Sequence, residues 1–257
     1  MTNTVAWTVI RRDRLIVLTG LAAVILAAMI YTVNMAGQLN KPMDVAMMTA
    51  GHSAMPGVHG FWVLFAMWTI MQVAMMSPTT VPMILMHGKI ERHRQPHSFP
   101  YFRTILFFLG YIFLWVLFSL VFALLQMGLL SAELLSPMMA TNTPWLTGGI
   151  LIAAGLFQFS HLKQACLKQC RSPVTYLMTE WRNGRSGAML MGLKHGLHCV
   201  GCCWIIMALL FAAGVMNLFW MAAITAFVLI EKLAARGDQF GRVVGVGLIA
   251  WGILVII

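Results

Sequence analysis

The run "TILFFLGYIFLWVLFSLVFALLQMGLL", residues 104–130, carries no Asp, Glu, Lys or Arg. Crossing a bilayer takes roughly 17 to 25 apolar residues in a helix. Inside lipid the backbone must satisfy its own hydrogen bonds, so a lone stretch of this kind is a helix. Six other segments have the same character, near 15–33, 61–86, 145–165, 188–211, 215–233 and 240–257. The expectation is an all-α, polytopic transmembrane bundle of about seven spans. The fifth and sixth should be joined by a tight turn near Ala213 and Gly214.

The whole chain agrees with that reading. Of its 257 residues 60% are hydrophobic and 9% charged, and the mean hydropathy is +0.84. A soluble domain is about half apolar and about a quarter charged. The net charge of +10 sorts by loop. Arg11, Arg12 and Arg14 precede the first span, and Lys89, Arg92, Arg94 and Arg103 follow the second. Lys163, Lys168, Arg171, Arg182, Arg185 and Lys194 lie between or beside the fourth and fifth, and Lys232, Arg236 and Arg242 between the sixth and seventh. Only Lys41 falls on the opposite side. Positive residues stay inside, which predicts an inner N-terminus and an outer C-terminus. The charge therefore points to a lipid bilayer and not to nucleic acid. The first span reads as an uncleaved anchor, and residues 1–257 as a single integral membrane domain.

Against this apolar background, "HGLHCVGCC" (195–203) stands out. On a helix His195, His198, Cys199 and Cys202 fall within an arc of about 100°, with Met191 on the same face and Cys203 at its edge. Imidazole, thiol and thioether suit Cu(I) or Zn(II) and not Mg or Ca. The plain alternative is packing, since a buried Cys behaves as a small hydrophobe. The stripe is expected to face the bundle, where its polar atoms find partners.

A second pair, Cys166 and Cys170 in "CLKQC", has the i, i+4 spacing of one helical face. Lys163, Lys168 and Arg171 flank it, and cations favour a reactive thiol. The pair reads either as an inner hand-off point for metal or as interfacial cysteines kept reduced.

Methionine is the third signal. Of the 22, half lie between Met35 and Met86. Met35, Met43, Met47, Met48 and Met55 share the expected outer segment 34–60 with His52 and His59. Met67, Met71 and Met75 recur every four residues, followed by "MMSPTTVPM", which holds Met76 and Met83. Pro78 and Pro82 should break the helix there, as happens where backbone lines a cavity. Thioethers select soft monovalent copper, but a Met stripe also serves as flexible core filling. Gly148, Gly149, Ala153 and Gly155 should allow close helix approach. Glu231 and Lys232 read as an anchor at the end of the sixth span, with Glu231 free to pair with Lys194 or Arg185. No nucleotide loop, Ser/His/Asp set or zincin pattern is present.

Four blocks, "AMMSPTTVPM" (74–83), "LKQACLKQCRSP" (162–173), "GLHCVGCCW" (196–204) and "GVMNLFWMAAITAFVLIEKL" (214–233), together resemble a bacterial family of predicted metal-binding integral membrane proteins. That family is a domain of unknown function, sometimes labelled copper chaperone. The resemblance covers about residues 60–235. It implies a bacterial inner-membrane protein and carries over the paired cysteines, Met75, Met76, Met83, Glu231 and Lys232. His161 departs from the Pro that members often have ahead of "LK".

The leading expectation is Cu(I) handling, as a chaperone, assembly factor or passive conduit, with Zn(II) as the alternative ion. Its ligands would come from His195, His198, Cys199, Cys202, Cys203, Cys166, Cys170, Met71, Met75, Met76 and Met83. A metal-donor or metal-acceptor protein would be its partner. Two other readings stand beside it: a membrane thiol–disulfide oxidoreductase using the Cys-x-x-Cys of residues 199–202, and a structural subunit of a larger membrane complex. The residues favour a binder over an enzyme.

Overall fold

The computed structural model describes residues 58–94, 100–135, 140–215, 217–234 and 236–257, with a few isolated helical positions between 19 and 34. Eight helices follow in order: α1 Val58–Arg94, α2 Pro100–Ser131, α3 Pro144–Phe157, α4 His161–Arg171, α5 Pro173–Glu180, α6 Gly184–Ala213, α7 Leu218–Leu233 and α8 Gly237–Ile256. Four of them, α1, α2, α6 and α8, are long and apolar enough to cross a membrane. The expected first span and nearly all of the Met/His segment 34–60 lie outside the described residues.

The termini of these helices follow local chemistry. Pro begins α2, α3 and α5, where its missing N–H costs nothing. The Asn217 side chain accepts from the N–H groups of Phe219 and Trp220 and so caps α7. Gly214, with φ +95°, ends α6 in a conformation other residues resist, so the turn expected at Ala213 and Gly214 is present.

Two expectations are corrected. The segment 145–165 is not one straight helix: α3 and α4 meet at a 63° bend. Ser160 starts α4 afresh, its hydroxyl accepting from the Lys163 N–H at 3.2 Å. Conversely, Pro78 and Pro82 do not break α1, which stays helical through both. The prolines remove two N–H groups from the ladder, and polar side chains gather beside them. The Met76 carbonyl accepts from the Thr79 hydroxyl at 2.9 Å and from the Tyr111 hydroxyl at 3.1 Å.

Helix α2 packs against both α1 and α6, α3 against α8, and α4 across α6. The buried face of α2 presents Phe107, Tyr111, Trp115 and Phe122, while Ile105, Leu109, Phe113, Leu117 and Val121 face outward. Glycine makes the α2–α6 crossing close. A Cβ on Gly192 would run into the Phe107 carbonyl, and one on Gly196 would lie 3.1 Å from the Tyr111 carbonyl. Gly192→Ala is therefore expected to lower stability by about 1–3 kcal/mol, read as a fall in the melting temperature of the detergent-solubilised protein. An unchanged melting temperature would mean the crossing has slack. Between α3 and α8, Gly148 and Gly155 make the close contacts that small residues predict, but Gly149 faces open space.

Lys194 does not pair with Glu231. Its ammonium meets Glu180 at 2.5 Å, and that hydrogen bond holds the Glu180 carboxyl below its usual range. A depressed carboxylate contributes stability above its unfolded pKa of about 4.3 and loses it as pH falls through the folded value. Both side chains are about a third exposed, so the contribution stays under about 1 kcal/mol.

Candidate metal centre

On α6 the 3.6-residue period turns Met191, His195, Cys199, Cys202 and Cys203 inward, and all five are buried. His198 sits at the margin, half-buried. Its Nδ1–H donates to the Lys194 carbonyl at 2.7 Å. A carbonyl only accepts, so that bond fixes the tautomer and leaves the lone pair on Nε2.

Helix α4 lies over this stripe. A Cβ on Gly201 would come 2.8 Å from the Cys166 sulfur, so glycine there lets α4 settle onto α6. Cys166 and Cys170 pack against the buried cluster that holds Cys199, Cys202 and Cys203. The two cysteine groups that the sequence separates are thus one cluster, and all five cysteines are free. Met71, Met75 and Met76 of α1 belong to the same packed core. Met83 does not. It packs with Met191, Phe107 and Tyr176 in a second cluster. His195 lies close to both, with its ring 5.6 Å from Tyr111 and 5.4 Å from Tyr176.

The thiols meet as neighbours and not as a finished cage. Among the described residues, no three His, Cys, Asp or Glu side chains are arranged to hold a metal ion as they stand. Cys202 and Cys203 instead point their thiols at the Cys199 carbonyl, at 3.1 and 2.9 Å.

Lys232, which the sequence presents as an anchor and not among the expected ligands, stands at the thiols. It is 5% exposed, and its ammonium lies 2.9 Å from the Cys199 sulfur and 3.1 Å from the Thr79 hydroxyl. Tyr111 touches the same sulfur at 3.2 Å. Glu231, one residue earlier, turns the other way and pairs with Lys163 at 2.7 Å, while Lys163 also donates to the Gln158 side chain. Arg171 reaches Asp238 at 2.9 Å and the Ala234 carbonyl at 2.8 Å. Two of the three cations expected to attend the α4 cysteines are thus engaged with α7 and α8. Lys232 supplies the positive charge at the thiols from across the bundle. Its signal in the sequence is its place beside Glu231 in the last turn of an otherwise apolar helix.

Residues 65–255 match the family PpoB2, described as a copper chaperone. The chain belongs to that family. The match runs from the first third of α1 to the last turn of α8 and takes in every cysteine, Lys232, Met71, Met75, Met76 and Met83. The Met/His segment 34–60 precedes the stretch that defines a PpoB2 chain here. No curated protein and no solved structure matches this sequence.

Proposed function

We propose that this PpoB2 protein is a multi-pass inner-membrane protein that binds Cu(I) within the bundle and passes it between partner proteins. The observation that carries the reading is the meeting of five thiols from α4 and α6 with one buried ammonium, Lys232, 2.9 Å from Cys199. Cu(I) needs only two or three soft ligands. Held by two thiolates it carries one net negative charge, and the ammonium cancels it. Zn(II) on the same two thiolates would be neutral and would leave the Lys232 ammonium uncompensated, and its structural sites demand four closed ligands. The absence of a ready three-ligand cage among the described residues also favours the ion with the smaller ligand demand. Surplus thiols around one or two working ligands suit transfer better than storage. Met71, Met75 and Met76 offer thioethers in the same packed core, and the excess of basic residues around Arg92 and Arg94 is the reason to put that end of α1 inside.

The test is an anaerobic Cu(I) titration of the purified full chain with X-ray absorption on the loaded protein. The wild type should show sulfur in the first shell. Cys199→Ser/Cys202→Ser should fold and lose that thiolate-bound copper. Only oxygen and nitrogen neighbours in the wild type, or undiminished copper in the double variant, would make the cluster packing and nothing more.

A further inference from the structure

Helix α1 carries a second donor set that the thiol cluster does not use. Met76, Thr80, Met83, His87 and Glu91 recur at three- and four-residue spacing, and all are buried. The upper end of this face meets the thiols. The lower end holds Met83 and His87, one turn apart and on the same side of the helix.

His87 is the anomaly. It has no exposed surface, yet its Nε2 has no hydrogen-bond partner among the described residues. Buried polar atoms are ordinarily satisfied. The ring is also held with care. Its Nδ1 sits 3.3 Å from the Thr104 hydroxyl. It stacks on Phe107 at 4.8 Å and on Trp181 at 5.4 Å. A hydrogen bond at one ring nitrogen, with the other left open, is how proteins orient an imidazole ligand. Packing needs no imidazole here, since Phe would stack against the two aromatic rings without an orphaned nitrogen.

Sulfur lies in the same region. Met83 packs in a buried cluster with Phe107, the ring on which His87 stacks, while the Met191 sulfur of that cluster accepts from the Arg182 N–H at 3.3 Å. Across Phe107, with centroids 6.0 Å apart, lies His195, whose Nδ1 is also without a partner. Glu91 of the same face pairs with Arg103, so the donors left are imidazole and thioether, which together suit Cu(I) and disfavour hard ions.

We propose that His87 and Met83 of α1 form a second Cu(I) station beside Phe107, distinct from the thiol cluster. It rests on the reading of the protein as a Cu(I) carrier. The station lies toward the end of α1 that bears Arg92 and Arg94, and His195 stands between it and the thiols. Copper moving along the bundle would pass from thiolate to neutral ligands that bind it less tightly, which is what release requires.

Four full-length proteins in detergent, loaded anaerobically with Cu(I) alone, test this. Independent sites add. Cys199→Ser/Cys202→Ser should lose about half the copper of the wild type, and so should His87→Asn/Met83→Leu, while the combined variant should lose nearly all of it. Asparagine keeps a polar atom near the Nδ1 position toward Thr104 and removes the far side of the ring with Nε2; His87→Phe, which preserves the stacking, is the second variant that guards against a loss of fold. X-ray absorption of the loaded Cys199→Ser/Cys202→Ser protein should show imidazole scattering that disappears once His87→Asn is added. If the His87 variants keep full copper, or if the cysteine variant is empty, the second station does not exist and the thiol site stands alone. If the wild type holds no more copper than the combined variant, both readings fall together.

Discussion

Glu231→Ala is expected to lower the stability of the protein by about 3–5 kcal/mol, the cost of breaking a buried ion pair from one side. Lys163 has no exposed side-chain surface and Glu231 only 3%. Removing the carboxylate leaves the ammonium with the Gln158 side chain and the face of Phe227 at 5.6 Å, and neither carries a negative charge. Lys163→Met/Glu231→Leu, which removes both charges and keeps volume, should lie closer to the wild type, because a buried pair often does no better than apolar residues of its own size. Unfolding by a denaturing detergent measures both. A loss below about 1 kcal/mol for the single variant would mean that water or lipid headgroups reach Lys163.

Lys232→Met acts on binding. An opposite charge near 4 Å at an effective dielectric of 20 is worth about 4 kcal/mol, and each 1.4 kcal/mol is about tenfold in affinity. Cu(I) affinity should therefore fall by roughly two to three orders of magnitude, while Zn(II), which gains nothing from a nearby cation, should fall less or rise. Lys232→Arg should retain part of the Cu(I) affinity. Competition against a chromophoric chelator reads all three. Equal losses for the two ions would make Lys232 a structural prop and not a counter-charge.

How far the sequence discloses these features depends on their range. Helix α2 is legible because a charge-free run beyond twenty residues has one stable form in lipid. The α6 stripe is legible because helical period is local, and its inward face is as expected. The bend between α3 and α4 is harder to see. Apolar composition continues through Phe157 and Phe159, and only Ser160, an N-cap in the middle of an expected span, marks the break. Lys232 reads as an interfacial anchor, and Lys163 as a cation beside the cysteines, because lysine usually extends its ammonium to water. Their burial follows from partners 68 and 33 residues away, and no local pattern encodes such pairings. Pro78 and Pro82 mislead for a related reason: whether a helix survives the two missing N–H groups depends on what packs around it, and the groups beside these prolines, Tyr111 at the Met76 carbonyl among them, come in part from another helix.

Helix α4 is tied near its start by Lys163 to α7 and at its end by Arg171 to α7 and α8, with the cysteine pair between. A segment held at both ends cannot swing, and the freedom left to Cys166 and Cys170 is rotation about a single side-chain bond each. Such rotations are fast beside the microsecond-to-millisecond shifts of whole helices. If this cluster carries copper as proposed, its rate of uptake and release should be set by encounter with a donor or acceptor and by sulfur-for-sulfur exchange at the metal, and not by motion of the α4 backbone.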